Sequence, residues 1–123
     1  MAGEISFFEL GVAEPERART FYAGLFGWTF EPGTAEGGGF AISTPGAPGG
    51  VHGGDPGAGP YVFFRVDDMR TAVALVRELG GTVTDEIDVG GDDEETIARF
   101  GRFQLCHDDQ GSPFGLHQPP AGT

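Results

Sequence analysis

The chain predicts an α+β protein made of two tandem βαβββ modules. Three observations carry that prediction. In each half, a repeat of period two gives way to a helical repeat and then returns. The first strand, helix and helix stop of the two halves superpose on one another without a gap. Finally, 23 glycines and 9 prolines in 123 residues collect between the periodic segments, where they mark turns of a compact fold rather than low complexity.

Residues 5–12 alternate as a strand, with Phe8, Leu10 and Val12 on one face and Ile5, Phe7, Glu9 and Gly11 on the other. Glu14-Pro15-Glu16 opens a helix, since proline is suited to the first turn and acids complement the amide end of the dipole. Ala18, Phe21, Tyr22 and Leu25 repeat at helical spacing until Gly27 stops the run. Short strands follow at 28–31, 40–44 and 49–52, each bounded by glycine or proline. Gly37-Gly38-Gly39 lacks the strand-turn-helix setting of a phosphate loop and reads as a hairpin turn.

A shift of 54 residues places Phe7 on Tyr61, Leu10 on Phe64, Val12 on Val66, Glu14 on Asp68, Ala18 on Ala72, Phe21 on Leu75, Leu25 on Leu79 and Gly27 on Gly81. Strand face, helix stripe and helix stop keep phase together, which implies duplication. Further strands are expected at 82–89, 102–107 and 114–118. Gly115-Leu116-His117 mirrors Gly50-Val51-His52 at a shift of 65, so about eleven extra residues fall near 90–98. Asp92-Asp93-Glu94-Glu95 in that stretch reads as a solvated run, with a lid over a cationic ligand as the alternative. The organisation is one domain over 1–123, with module 1 about 4–52, a Gly/Pro-rich linker at 53–60 and module 2 about 61–118.

Charge narrows the partners. The basic residues are seven arginines with no lysine, set against nineteen acids, for a net charge of −12. Such a field repels nucleic acid and anionic lipid and suits a cationic ligand. No apolar run approaches the ~18 residues of a membrane span. Cys106 is the single cysteine and reads as a small core residue; with no signal peptide at the start of the sequence, the expected location is cytoplasmic.

Phe8-Glu9-Leu10, Glu14-Pro15-Glu16-Arg17-Ala18, Phe21-Tyr22, Leu25-Phe26-Gly27-Trp28, Val62-Phe63-Phe64-Arg65-Val66-Asp67-Asp68, Gly101-Arg102-Phe103 and Asp108-Asp109-Gln110-Gly111 before Phe114-Gly115-Leu116 are spread over nearly the whole chain. In order and spacing they resemble the vicinal oxygen chelate superfamily of glyoxalase I, extradiol dioxygenases and bleomycin-resistance proteins. The resemblance implies modules whose mixed sheet curls around a cleft, and a homodimer. It also implies metal ligands on the first and last strands of each module in the members that use a metal. Those positions here are Phe7, Tyr61, Gly50 and Gly115, none a useful ligand, so no cofactor is expected. The alternative is a divalent metal held by His52, His117 and Glu9.

The face opposite the helices carries Phe7, Glu9, Tyr61, Phe63 and Arg65, extended by Trp28 and Phe40 and ending at His52 and His117. An aromatic lining with few charges suits a small aromatic or cationic molecule; the competing reading is plain core filling. Glu9 and Arg65 must pair with each other or meet a ligand, Glu9 as an amine anchor or general base and Arg65 as a carboxylate anchor. The function expected is a metal-free small-molecule-binding protein that sequesters an aromatic or cationic antibiotic or metabolite. The alternative is a lyase, isomerase or dioxygenase-like enzyme, metal-dependent through His52, His117 and Glu9 or acid-base through Glu9 as the catalytic residue.

Overall fold

The computed structural model describes residues 2–34, 38–55, 60–84 and 94–121. Among them are eight strands and three helices in an α+β arrangement. The chain divides into two compact units. The N-terminal unit is Phe7–Tyr61, and the C-terminal unit is Val62–Thr123 together with the residues up to Ser6.

The N-terminal unit contains most of β1 (Ile5–Gly11), then α1 (Pro15–Phe26), β2 (Thr29–Pro32), β3 (Gly39–Ser43) and β4 (Gly49–His52). β1 runs parallel to β4, while β3 is antiparallel to both β4 and β2. Helix α1 starts at Pro15, as the sequence predicts, and stops at Gly27, whose positive φ of 75° lets its N–H turn back to the Ala23 carbonyl. Ala18, Ile42 and Val51 form the buried centre, with Phe8, Leu10, Val12, Tyr22, Trp28, Phe30 and Phe40 packed around them. The Phe8-Leu10-Val12 face therefore meets the helix, as its period-two pattern requires.

One part of the helical stripe departs from expectation. Phe21, Leu25 and Phe26 are exposed, and so are Leu75 on the second helix and Leu79 just after it. Only Ala18 of α1 is fully buried, because the space above the sheet is filled by Tyr22 and Trp28, which stack at 5.8 Å between ring centres.

The C-terminal unit contains the rest of β5 (Tyr61–Arg65), α2 (Met69–Glu78), β6 (Thr82–Thr84), α3 (Glu94–Phe100), β7 (Arg102–His107) and β8 (Pro113–Gln118). Its pairing repeats the first unit: β5 is parallel to β8, and β7 is antiparallel to β8 and β6. Asp68 caps α2 by accepting the Thr71 N–H at 3.0 Å. Phe63, Leu105, Cys106 and Leu116 are buried.

One expectation is met as far as the described residues reach, and one is revised. The strand at 82–89 is observed over Thr82–Thr84, and residues 85–89 lie outside the described residues. The acidic stretch is not all loop: Asp92 and Asp93 lie outside the described residues, but Glu94 and Glu95 open α3, which buries Thr96 completely. Acids at the start, Ile97 and Phe100 three apart, and Gly101 at φ 93° make that a short helix with ordinary start and stop signals.

Candidate functional site

β1 and β4 lie side by side with Glu9 opposite Gly50 and Gly11 opposite His52. This register decides what can gather there. A Cβ at residue 50 would stand 2.6 Å from Glu9 Oε1, and one at residue 11 would stand 2.6 Å from Asp55 Oδ2. Glycine at both positions makes room for two carboxylates against the backbone.

Those carboxylates converge on one imidazole. His52 Nδ1 is 2.7 Å from Glu9 Oε2, and Nε2 is 3.0 Å from Asp55 Oδ2. An ionised carboxylate only accepts, so both ring nitrogens donate and the ring is an imidazolium. Its pKa is accordingly pushed up to about 9, chiefly by the hydrogen bond to Glu9 and against the effect of burial. Glu9 is 7% exposed, and that burial raises its carboxyl above the usual range despite the opposing bond to His52. Tyr61 completes the cluster. Its hydroxyl donates to Asp55 Oδ2 at 3.3 Å, and its ring lies over the imidazole at 6.4 Å. Burial, then the Asp55 charge, raises the phenol pKa.

The other predicted residues are placed as follows. Phe7 is buried in the N-terminal unit. Trp28 packs on Phe8, Tyr22 and Phe26, and Phe40 meets Phe30 edge-on with the Arg19 guanidinium over its ring, so both belong to the core beside α1. In the C-terminal unit, Phe63 is fully buried and meets Phe103 edge to face. Arg65 lies 4.0 Å from Asp67. His117 is buried and stacked on Phe103, with Nδ1 2.8 Å from the Ser6 hydroxyl and Nε2 donating to the Phe100 carbonyl at 2.7 Å.

These residues do not fit a metal. Glu9 occupies the space beside Gly50, and the Phe63 ring occupies the space beside Gly115. The alternative ligand set of His52, His117 and Glu9 is engaged in hydrogen bonds instead. Both nitrogens of His52 are bonded to carboxylates, and both nitrogens of His117 are bonded within the other unit, leaving no lone pair for an ion. Among the described residues, no group of three or more His, Cys, Asp or Glu side chains is arranged to hold a metal ion.

Asp55 is the residue that sequence reasoning missed. It sits in a Gly/Pro-rich stretch that reads as linker. The available signal was an acid three residues beyond His52, facing a strand glycine.

Residues 7–117 match the model of the glyoxalase-like domain family. The chain belongs to this family. It lies within the vicinal oxygen chelate superfamily, as the sequence motifs implied. A "Glyoxylase-like domain-containing protein" from Didymella fabae is 27% identical over 129 residues, covering 96% of this chain and 95% of that one. Among solved structures, methylmalonyl-CoA epimerase from Mycobacterium tuberculosis matches with a TM-score of 0.68 at 18% identity, over 94% of this chain and 87% of that chain. A hypothetical protein from Bacillus halodurans C-125 matches at 0.73 and 11%, over 98% and 97%. At these identities the likeness concerns the fold. No helix among the described residues is long and apolar enough to cross a membrane.

Proposed function

We propose that this glyoxalase-like protein binds a small aromatic or cationic molecule without a metal, through Glu9, His52, Asp55 and Tyr61. The observation that carries this reading is the convergence of Glu9 and Asp55 on His52. Two carboxylates against one imidazolium leave a net negative charge, with the Tyr61 ring beside it, in a chain of net charge −12. A planar cation would meet both an aromatic face and a compensating charge there. Solved relatives in complex with methylmalonyl-CoA or 2-nitronate-propionyl-CoA support a small-molecule role for the fold, without naming this ligand. We place the protein in the cytoplasm as a homodimer, a form supported by the exposed Phe21, Leu25 and Phe26 of α1.

The test is a thermal-shift series on chelator-treated protein with divalent metals and with cationic, neutral and anionic aromatic compounds. A ligand that binds only the folded chain raises the melting temperature by mass action. Cationic aromatics should stabilise, and Asp55→Asn with Tyr61→Phe should remove that effect. Stabilisation by one divalent metal and by no cationic aromatic overturns the proposal.

A second reading is a superfamily lyase or isomerase that uses acid-base chemistry. It is favoured by the Glu9 carboxyl, which is raised by burial and lies 2.7 Å from a protonated ring. Proton exchange into a bound ligand from solvent deuterium, lost in Glu9→Gln, would identify it.

A further inference from the structure

In a chain with seven arginines and nineteen acids, an arginine with no acid beside it is informative. On α1, Arg17 is paired with Glu14 at 3.2 Å and Arg19 with Glu16 at 3.1 Å. The equivalent helix of the C-terminal unit treats its arginines differently. Arg70 and Arg77 on α2 and Arg102 on β7 form no ion pair among the described residues, and all three line one groove of about 770 Å3.

The strands and helix fix their order along that groove. Arg102 stands opposite Gln118 in the β7–β8 ladder, and the Gln118 side-chain carbonyl accepts the Met69 N–H at 2.7 Å. Arg102 is thereby set at the start of α2, where Arg70 is the second residue. Arg77 comes two helical turns later, about 10 Å along the axis. Met69, Val73 and Ala74 supply apolar wall between the two ends. Asp68 also borders the groove, but its carboxylate oxygen already accepts the Thr71 N–H and hydroxyl, at 3.0 and 2.6 Å.

Arg70 is a poor choice for the helix itself. Arg77, in the last turn, complements the helix dipole, whereas a cation in the first turn opposes it, and α2 has no acid in that turn. At the corresponding place α1 carries Glu16. The acid near Arg70 is the N-cap Asp68, whose charge it feels without a direct ion pair, and Arg70 lines the same groove as two further guanidinium groups that form no ion pair among the described residues.

We propose that this groove binds a small phosphate-bearing molecule, its phosphates between Arg70 and Arg102 and its apolar body along Met69, Val73 and Ala74 toward Arg77. Guanidinium forks pair bidentately with phosphate oxygens, which fits phosphate better than a diffuse charge attraction. The ligand is compact, because the field of the whole chain repels a long polyanion such as nucleic acid. The groove shares no residue with the Glu9–His52 cluster, so its test is independent of the proposed function.

Titration calorimetry on the full chain at low salt would use ADP, pyrophosphate, adenosine and citrate. ADP should saturate one site, pyrophosphate should bind more weakly, and adenosine and citrate should give no binding. Arg70→Gln and Arg102→Gln should each weaken ADP by about tenfold, and high salt should weaken it in the parent chain. Both side chains are exposed, so the variants keep their fold. The proposal is overturned if ADP gives no binding up to about 5 mM. Citrate binding as tightly as ADP, or ADP affinity unchanged in both arginine variants, overturns it equally.

Discussion

His52 and His117 occupy the same place in the two modules, four residues into β4 and five into β8, opposite Gly11 and Arg65 in equivalent registers. Their chemistry is opposite. His52 is held by two carboxylates and is protonated, while His117 is held by a hydroxyl and a carbonyl, stacked on Phe103, and kept neutral. The difference begins one strand away: Glu9 in the first module corresponds to Phe63 in the second, and each lies across from a glycine that admits it, Gly50 or Gly115. A duplicated backbone therefore fixes where an imidazole stands, and its neighbours decide whether it is an acid or a structural bridge.

The largest effect should come from removing the imidazolium. His52→Ala leaves the Glu9 carboxylate buried without its cation, and breaking a buried pair in this way costs about 3 kcal/mol at neutral pH. Denaturant unfolding should show that loss, and it should shrink as pH falls and Glu9 takes up a proton. Adding Glu9→Gln should recover much of it, because no unpaired charge is then buried. Equal stability of the single and double variants would show that the pair carries no such coupling.

A smaller effect compares the two glycines. Gly115→Ala drives a methyl group into the Phe63 ring, which is fully buried and has no free volume to enter; about 2 kcal/mol is expected. Gly50→Ala meets only the carboxylate end of Glu9, beside the half-buried His52, and should cost about 1 kcal/mol. The same unfolding assay ranks them. A reversed ranking would mean that the polar cluster is packed more rigidly than the aromatic one.

The fold was legible because it rests on local signals. Phe8, Leu10 and Val12 set the strand face, Pro15 and Gly27 bound the helix, and the shift of 54 residues exposed the second copy. The site was legible in part. Glu9 stood out as a charge on an apolar strand, but its partner was sought in Arg65, whereas the parallel β1–β4 pairing brings His52 to it. Asp55 was invisible because its role depends on Gly11, a long-range complement that a glycine-rich stretch does not advertise. The exposure of Phe21 and Leu25 was hidden for a related reason. Helical spacing shows that apolar residues share a stripe, but Trp28 and Tyr22 take the space above the sheet.

The smallest perturbation changes no residue and separates the two histidines by pH alone. His52, raised to about 9 from 6.5, binds its proton more tightly in the folded chain than in the unfolded one. Its contribution is complete below pH 6.5 and is lost as pH rises through about 9. His117 has the reverse sign. Burial lowers its pKa first, with the Arg65 charge adding to this against the Phe100 bond, so the folded chain prefers the neutral ring. Its contribution is present above pH 6.5 and is lost as pH falls through the lowered value. Imidazole proton resonances followed over pH, assigned with His52→Gln and His117→Gln, should show one ring titrating near 9 and one below 6.5. If both titrate together near 6.5, the carboxylates do not hold His52 in solution, and the contrast between the modules reduces to their aromatic packing.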